Sequence, residues 1–274
     1  MKFLSTVVLA TIFLVIGCDQ VEPIANKRLI EIDDGKLEYS ISGKGQPTVI
    51  FLHGGGPEEM DTWKKVYPLI EKHNTVLAYN RFGDGNSDHV AEAQSAQRII
   101  EELRQLLIKT KLTPPYLLVG HSFGGLYANL FARLYPKETM GVVFVDSAHP
   151  DQGVLMRNDG SVLGTINSLL QRLYALSNPT KASEFSSFDI SVLQIKHAGP
   201  FPNIPVIVIS AGNKYSVFTS KEDITTIEKL QKQLSLLSPQ GKQIVAPDSG
   251  HFIQHSEPEI VVNAILSMAH PARR

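Results

Sequence analysis

Cysteine is nearly absent: Cys18 is the single one in 274 residues. One thiol excludes a disulfide framework, so stability must come from core packing. Charge of one sign is equally scarce. Twenty-six Lys and Arg stand against 27 Asp and Glu, a formal net charge of −1, and the basic residues are scattered. That excludes the electrostatic footprint of a nucleic-acid binder and a global pull toward anionic membrane surfaces. No apolar run reaches the roughly 20 residues of a spanning helix. No repeat or low-complexity tract is visible, and no His, Cys, Asp and Glu cluster has metal-ligand spacing, so no metal or organic cofactor is expected. What remains, 43% hydrophobic and 19% charged residues, suits one large globular core.

The N-terminus departs from this pattern. Lys2 precedes an apolar run from Phe3 to Ile16, broken by Ser5, Thr6 and Thr11. A charged start, a short apolar core and a small residue at the boundary are the parts of a secretory signal. The run ends in Val15-Ile16-Gly17-Cys18, which resembles the bacterial lipobox, where the signal is cut before a cysteine that is then lipidated. The resemblance implies a signal peptide over residues 1–17, a lipidated Cys18 with a polar tether over 18–28, and an exported cell-envelope lipoprotein held at a membrane by its acyl chains. The plain alternatives are a buried core cysteine or a short uncleaved anchor. Neither explains why the only cysteine falls where the apolar run stops.

From residue 29 to 274, short β-rich runs alternate with amphipathic helical ones. Leu29–Ile32 and Leu37–Ile41 read as a hairpin turned by Asp33-Asp34-Gly35. Thr48–Leu52 is near-continuously apolar, as a parallel strand buried on both faces should be. Thr75–Tyr79, Tyr116–Val119, Val142–Val145, Ile204–Ile209 and Gln243–Val245 complete eight predicted strands. Met60–Lys72, Ala91–Thr110, Leu126–Leu134, Ile224–Leu237 and Pro258–Met268 are the predicted helices. Such alternation predicts a mostly parallel α/β sheet flanked by helices on both faces, with the hairpin as an antiparallel edge. Residues 147–203 break the rhythm. There Val162, Ile166, Leu169, Leu170 and Leu173 form a helical stripe, and an insertion after the sixth strand is placed to be a lid. A helical ornament packed away from the ligand end is the other reading.

The sharpest signal is Gly120-His121-Ser122-Phe123-Gly124-Gly125 between a predicted strand and a predicted helix. G-x-S-x-G in that setting is a nucleophile elbow: the serine backbone is strained, and the flanking glycines leave room for the turn. The following helix N-terminus aims N–H groups at the place where negative charge develops.

With these residues in view, the chain resembles an α/β-hydrolase over essentially its whole length after the signal. His53-Gly54-Gly55-Gly56 follows the third strand, where that family has its oxyanion loop, which implies Gly55 and Phe123 N–H as oxyanion donors. His53 itself reads as a structural hydrogen-bonding residue. Asn80-Arg81-Phe82-Gly83-Asp84-Gly85-Asn86-Ser87 resembles the family's D-R-x-G-x-G-x-S loop, with asparagine for aspartate, and reads as scaffold. Ser122 needs a base to take its proton. Of nine histidines, His251 lies between the last predicted strand and the last helix, where the family has its catalytic histidine. His121 sits in the elbow and turns into the sheet region, whereas His73, His89 and His270 fit solvated positions. His149, at the start of the insertion, could line the pocket or face solvent.

The acid that would orient the histidine is less constrained. The family's usual turn after the seventh strand is here Gly212-Asn213-Lys214-Tyr215, without a carboxylate. Asp146 ends the strand beside the nucleophile strand, a placement that some family branches use, haloalkane dehalogenases among them. Glu222 and Asp223, which suit a helix start, and Asp248, in the histidine's own loop, stay open. The implied activity is hydrolysis of a small or medium-sized carboxylic ester through an acyl-enzyme on Ser122, with His251 as base and Asp146 as acid. The rivals are a proline-iminopeptidase-like amidase and a binding lipoprotein that keeps the fold without catalysis.

Overall fold

Every residue of Thr48–Leu52 (β3) is buried, because this strand lies inside an eight-stranded sheet covered on both faces. The computed structural model describes residues 21–154, 175–213 and 221–271. The apolar run with Cys18 and the stripe Val162, Ile166, Leu169, Leu170 and Leu173 lie outside them. The other strands are Arg28–Ile32 (β1), Gly35–Ser42 (β2), Val76–Tyr79 (β4), Tyr116–His121 (β5), Thr139–Val145 (β6), Val206–Ala211 (β7) and Gly241–Ala246 (β8). Their order is β1-β2-β4-β3-β5-β6-β7-β8. β2 runs antiparallel to β1 and to β4, and the remaining pairings are parallel.

The period-two alternation of the strands divides the core. Ile50 and Leu52 of β3, with Leu118 and Phe144, pack toward helices Ala96–Lys109 and Phe123–Leu134. Val49 and Phe51, with Val119 and Val145, pack on the other face against Trp63, Ile70, Val261 and Ile265. In chain order the helices are Tyr67–Ile70 (α1), Ala96–Lys109 (α2), Phe123–Leu134 (α3), Pro179–Ser186 (α4), Phe188–His197 (α5), Lys221–Ser235 (α6), Ile253–Ser256 (α7) and Pro258–Ala269 (α8). Ile99, Leu103, Leu106 and Leu107 of α2 are buried on one stripe, which is the apolar face that its 3.6-residue period supplies.

Two helix expectations need correction. Met60–Lys72 is not one helix: a 3₁₀ turn spans Met60–Trp63, and α1 restarts at Tyr67. Pro68 has no N–H to donate to Lys64, so a continuous ladder is broken there, while proline fits the first turn of a new helix. The helix expected from Ala91 begins at Ala96, with Ser95 in extended conformation at its N-cap. Between β6 and β7 the described residues include a 3₁₀ turn, Pro150–Val154, and helices α4 and α5. Among the described residues no helix is long and apolar enough to cross a membrane.

Candidate active site

β5 ends at His121 and α3 begins at Phe123, so the chain reverses within Ser122, which has φ +49° and ψ −122°. A non-glycine residue in this region carries about 1–3 kcal/mol of strain. The neighbours explain why glycine flanks it. A Cβ on Gly124 would stand 2.1 Å from Leu52 O, and one on Gly125 would stand 2.3 Å from Ser147 Cβ. Ser147 in turn donates its hydroxyl to Gly120 O at 2.7 Å, so β6 locks the elbow from the side. Phe123, as first residue of α3, has an N–H with no acceptor inside the helix. Ser122 is half-buried.

Asp146 directly follows β6, level with Ser122, because β5 and β6 are in register through His121 and Val145. Its φ is +37°, a conformation that Asp tolerates better than most residues. Two contacts of the carboxylate bear on the site. Oδ1 accepts from Ala211 N–H on β7 at 3.1 Å, and Oδ2 meets His251 Nδ1 at 2.8 Å. His251 lies in the loop between β8 and α7, with 46% of its side chain open to solvent, whereas Asp146 is 12% open. Burial works to lower the His251 pKa, but the hydrogen bond and charge of Asp146, with the Glu58 charge behind them, outweigh it and raise the value. Among the described residues no hydrogen bond joins Ser122 Oγ to the His251 ring. Such contacts often tighten only when substrate binds.

The loop after β3 carries Gly54, Gly55 and Gly56. Gly55 faces Phe123: a Cβ placed on it would sit 3.0 Å from the Phe123 ring and 3.4 Å from Phe185. Phe123 packs on Phe185 and Phe188, with ring centroids 5.0 and 5.7 Å away, so two helices of the insertion wall this side of the elbow with aromatic rings. Glu58, which the sequence did not single out, brings a carboxylate into the same place. Its Oε1 accepts from Gly54 N–H at 2.9 Å and meets His121 Nδ1 at 2.8 Å. His121 Nε2 bonds the carbonyl of His251 at 2.9 Å.

Under the glycine loop the segment read as scaffold meets two residues that the sequence did not single out, Lys181 and Glu184. Arg81 donates to the carbonyls of His53 and Gly54 at 2.9 and 2.6 Å and to both carboxylate oxygens of Glu184 on α4 at 2.7 and 3.1 Å. Lys181 of the same helix meets Asp84 at 2.5 Å and Glu184 at 3.2 Å. Arg81, Lys181 and Glu184 are wholly buried. Burial works to raise the Glu184 pKa, yet the Arg81 and Lys181 charges hold it below the ordinary value. The expected result for Glu184→Gln is a loss of about 3–5 kcal/mol, because two cations would be left with Asp84 alone. Urea unfolding measures it, and a loss under about 1 kcal/mol would show that the network adds nothing. In the same loop Asn80 stands where the family has aspartate. Its amide donates to Glu38 at 2.7 Å, a bond that a second carboxylate could not make.

Of the other candidates, Glu222 and Asp223 lie in the first turn of α6, and the Asp248 backbone N–H is held by Glu257. Lys214 and Tyr215 lie outside the described residues. His53 is buried, with Nδ1 on Gly54 O at 3.0 Å, and burial and Arg81 push its pKa well down. His149 is also buried, with Nδ1 accepting from Asp151 N–H. Among the described residues no group of three or more His, Cys, Asp or Glu could hold a metal.

A mixed sheet of this order, with a strained serine at the strand-to-helix turn, defines an α/β-hydrolase architecture. The chain belongs to the alpha/beta hydrolase family, whose model matches residues 49–264. YqjL of Bacillus subtilis, an uncharacterised protein, is 29% identical over 232 residues, covering 82% of this chain and 85% of its own. The 2-hydroxy-6-oxo-6-(2'-aminophenyl)hexa-2,4-dienoic acid hydrolase of Metapseudomonas resinovorans is 24% identical over 266 residues, covering 88% of this chain and 90% of its own. The crystal structure of the enol-lactonase from Burkholderia xenovorans LB400 superposes with a TM-score of 0.65 at 16% identity, covering 88% of this chain and 99% of the other. That likeness is one of fold.

Proposed function

We propose that this chain is a serine hydrolase that cleaves a small or medium-sized carboxylic ester through an acyl-enzyme on Ser122. The observation that carries the reading is the 2.8 Å bond between His251 Nδ1 and Asp146 Oδ2, beside a serine held in a strained elbow. Asp146 keeps the proton on Nδ1, which leaves Nε2 free to accept one. Ser122 Oγ attacks the carbonyl carbon as His251 takes its proton, and the N–H groups of Gly55 and Phe123 bind the oxyanion. His251 then passes the proton to the departing alcohol. Water repeats the sequence on the acyl-enzyme, releasing the acid and restoring the serine.

Phe123, Phe185 and Phe188 give the site an apolar wall suited to an acyl chain, with residues 147–203 acting as a lid. A panel of p-nitrophenyl esters of increasing acyl length, run beside an aminoacyl-anilide, tests the reading. Ester turnover with the anilide inert is the expected outcome; turnover of the anilide alone would favour the amidase, and no turnover of either the binding lipoprotein. The hydrolase is proposed to act outside the cytoplasmic membrane, anchored through Cys18 after removal of residues 1–17. Expressed in a bacterium, the chain should then fractionate with membranes, and Cys18→Ala should release it; unchanged fractionation would sink the anchor.

A further inference from the structure

His121 precedes the nucleophile, is fully buried, and has both ring nitrogens in use. Nε2 faces the carbonyl oxygen of His251, which can only accept, so Nε2 carries a proton. Nδ1 faces the Glu58 carboxylate, at 2.8 and 3.0 Å from its two oxygens. Although burial works to raise the Glu58 pKa, the hydrogen bond and charge of His121 and the N–H of Gly54 bring it below the ordinary value. Glu58 thus holds the ring from one side while the His251 carbonyl holds it from the other.

We propose that Glu58 is a positioning residue for the base. Through the His121 ring it fixes the main chain at His251, and through Gly54 N–H it fixes the oxyanion loop, so one carboxylate sets base and oxyanion donors in register. The rings of His121 and His251 lie 4.5 Å apart, so a tilt of the first displaces the second. A Cβ on Gly54 would meet the Glu58 carboxylate at 2.5 Å and Ser122 Cβ at 3.1 Å, which puts this carboxylate, Gly54 and the nucleophile in one small volume. Solvent reaches little of it, with Glu58 10% exposed and His121 closed.

The inference rests on His251 acting as base. Glu58→Ala strands Gly54 N–H and frees the His121 ring. Losing a hydrogen bond to a charged group corresponds to a fall in kcat of about 10–100-fold, with KM nearly unchanged. Glu58→Gln can donate to a neutral Nδ1 and still accept from Gly54, so it should recover most of that loss. The Glu58 charge helps to raise the His251 pKa, so the acid limb of kcat/KM should move to lower pH in Glu58→Gln. Wild-type kcat in Glu58→Ala would overturn the proposal. So would equal slowing of both variants through KM, which would mean contact with substrate. If Glu58→Ala does not fold, the acid limb of Glu58→Gln decides, and an unmoved limb overturns the proposal. Activity retained by Ser122→Ala would instead sink the serine reading and with it the base that Glu58 positions.

Discussion

Ser122→Ala is expected to abolish ester turnover, lowering kcat on the order of 10⁶-fold, and to end covalent labelling by a fluorophosphonate probe. Such a loss is expected where a nucleophile and base act as a unit. Removing the hydroxyl leaves the proposed oxyanion donors and the binding wall, which alone supply only a residual about 10³–10⁴-fold over water. Stability should behave differently. Alanine has the same Cβ in the same strained conformation, φ +49° and ψ −122°, so its unfolding midpoint should match the wild type. Ser122→Gly removes the Cβ and is expected to stabilise by about 1 kcal/mol while being equally inactive. Hydrolysis retained in Ser122→Ala, measured with wild-type-free protein, would move the nucleophile elsewhere.

How far residue types disclose the molecule depends on whether their constraint is local. Thr48–Leu52 is recognisable as a doubly covered strand because burial on both faces demands an uninterrupted apolar run. Gly124 and Gly125 are recognisable because backbone and side-chain atoms come within 2.1–2.4 Å of where their Cβ would be, a demand only glycine meets. Met60–Lys72 misleads because its apolar spacing persists across Pro68, where the hydrogen-bond ladder cannot. Glu58, Lys181 and Glu184 leave no such mark. Glu184 finds Arg81 across 103 positions, and nothing in its own neighbourhood separates it from a solvated helix glutamate. Their partners are supplied by tertiary packing, which no spacing rule carries.

The same distinction bears on the segment beneath the glycine loop. Taken as a sequence, Asn80 to Ser87 reads as scaffold. In the fold, Arg81 ties the carbonyls of His53 and Gly54 to a helix of the insertion. The glycine loop is therefore held from below by α4 and from the side by Glu58. If Gly55 N–H is the oxyanion donor proposed above, it is held in advance and needs no reorganisation as charge develops.

Asp146→Asn is expected to lower kcat about 10⁴-fold with the fold intact. The bonds of Asp146 to Ala211 and His251 bear on how the amide sits. Its oxygen has to keep the Ala211 N–H that Oδ1 now accepts, since the reverse orientation would set an NH₂ against that donor. The NH₂ then faces His251 Nδ1 where Oδ2 stood, and the ring can satisfy it only by moving its proton to Nε2. A protonated Nε2 cannot take the serine proton. The pH dependence adds an independent sign. The base works when neutral, so kcat/KM rises with pH through the His251 pKa. Asp146 raises that pKa above the ordinary histidine value, so the wild-type acid limb should lie on the high side of a free histidine's, and removing the charge should move the midpoint down. A pH series on both proteins measures limb and rate together. Near-wild-type turnover in Asp146→Asn would send the role of acid to Glu222, Asp223 or Asp248, and an acid limb that does not move would detach the carboxylate from the base that the kinetics report.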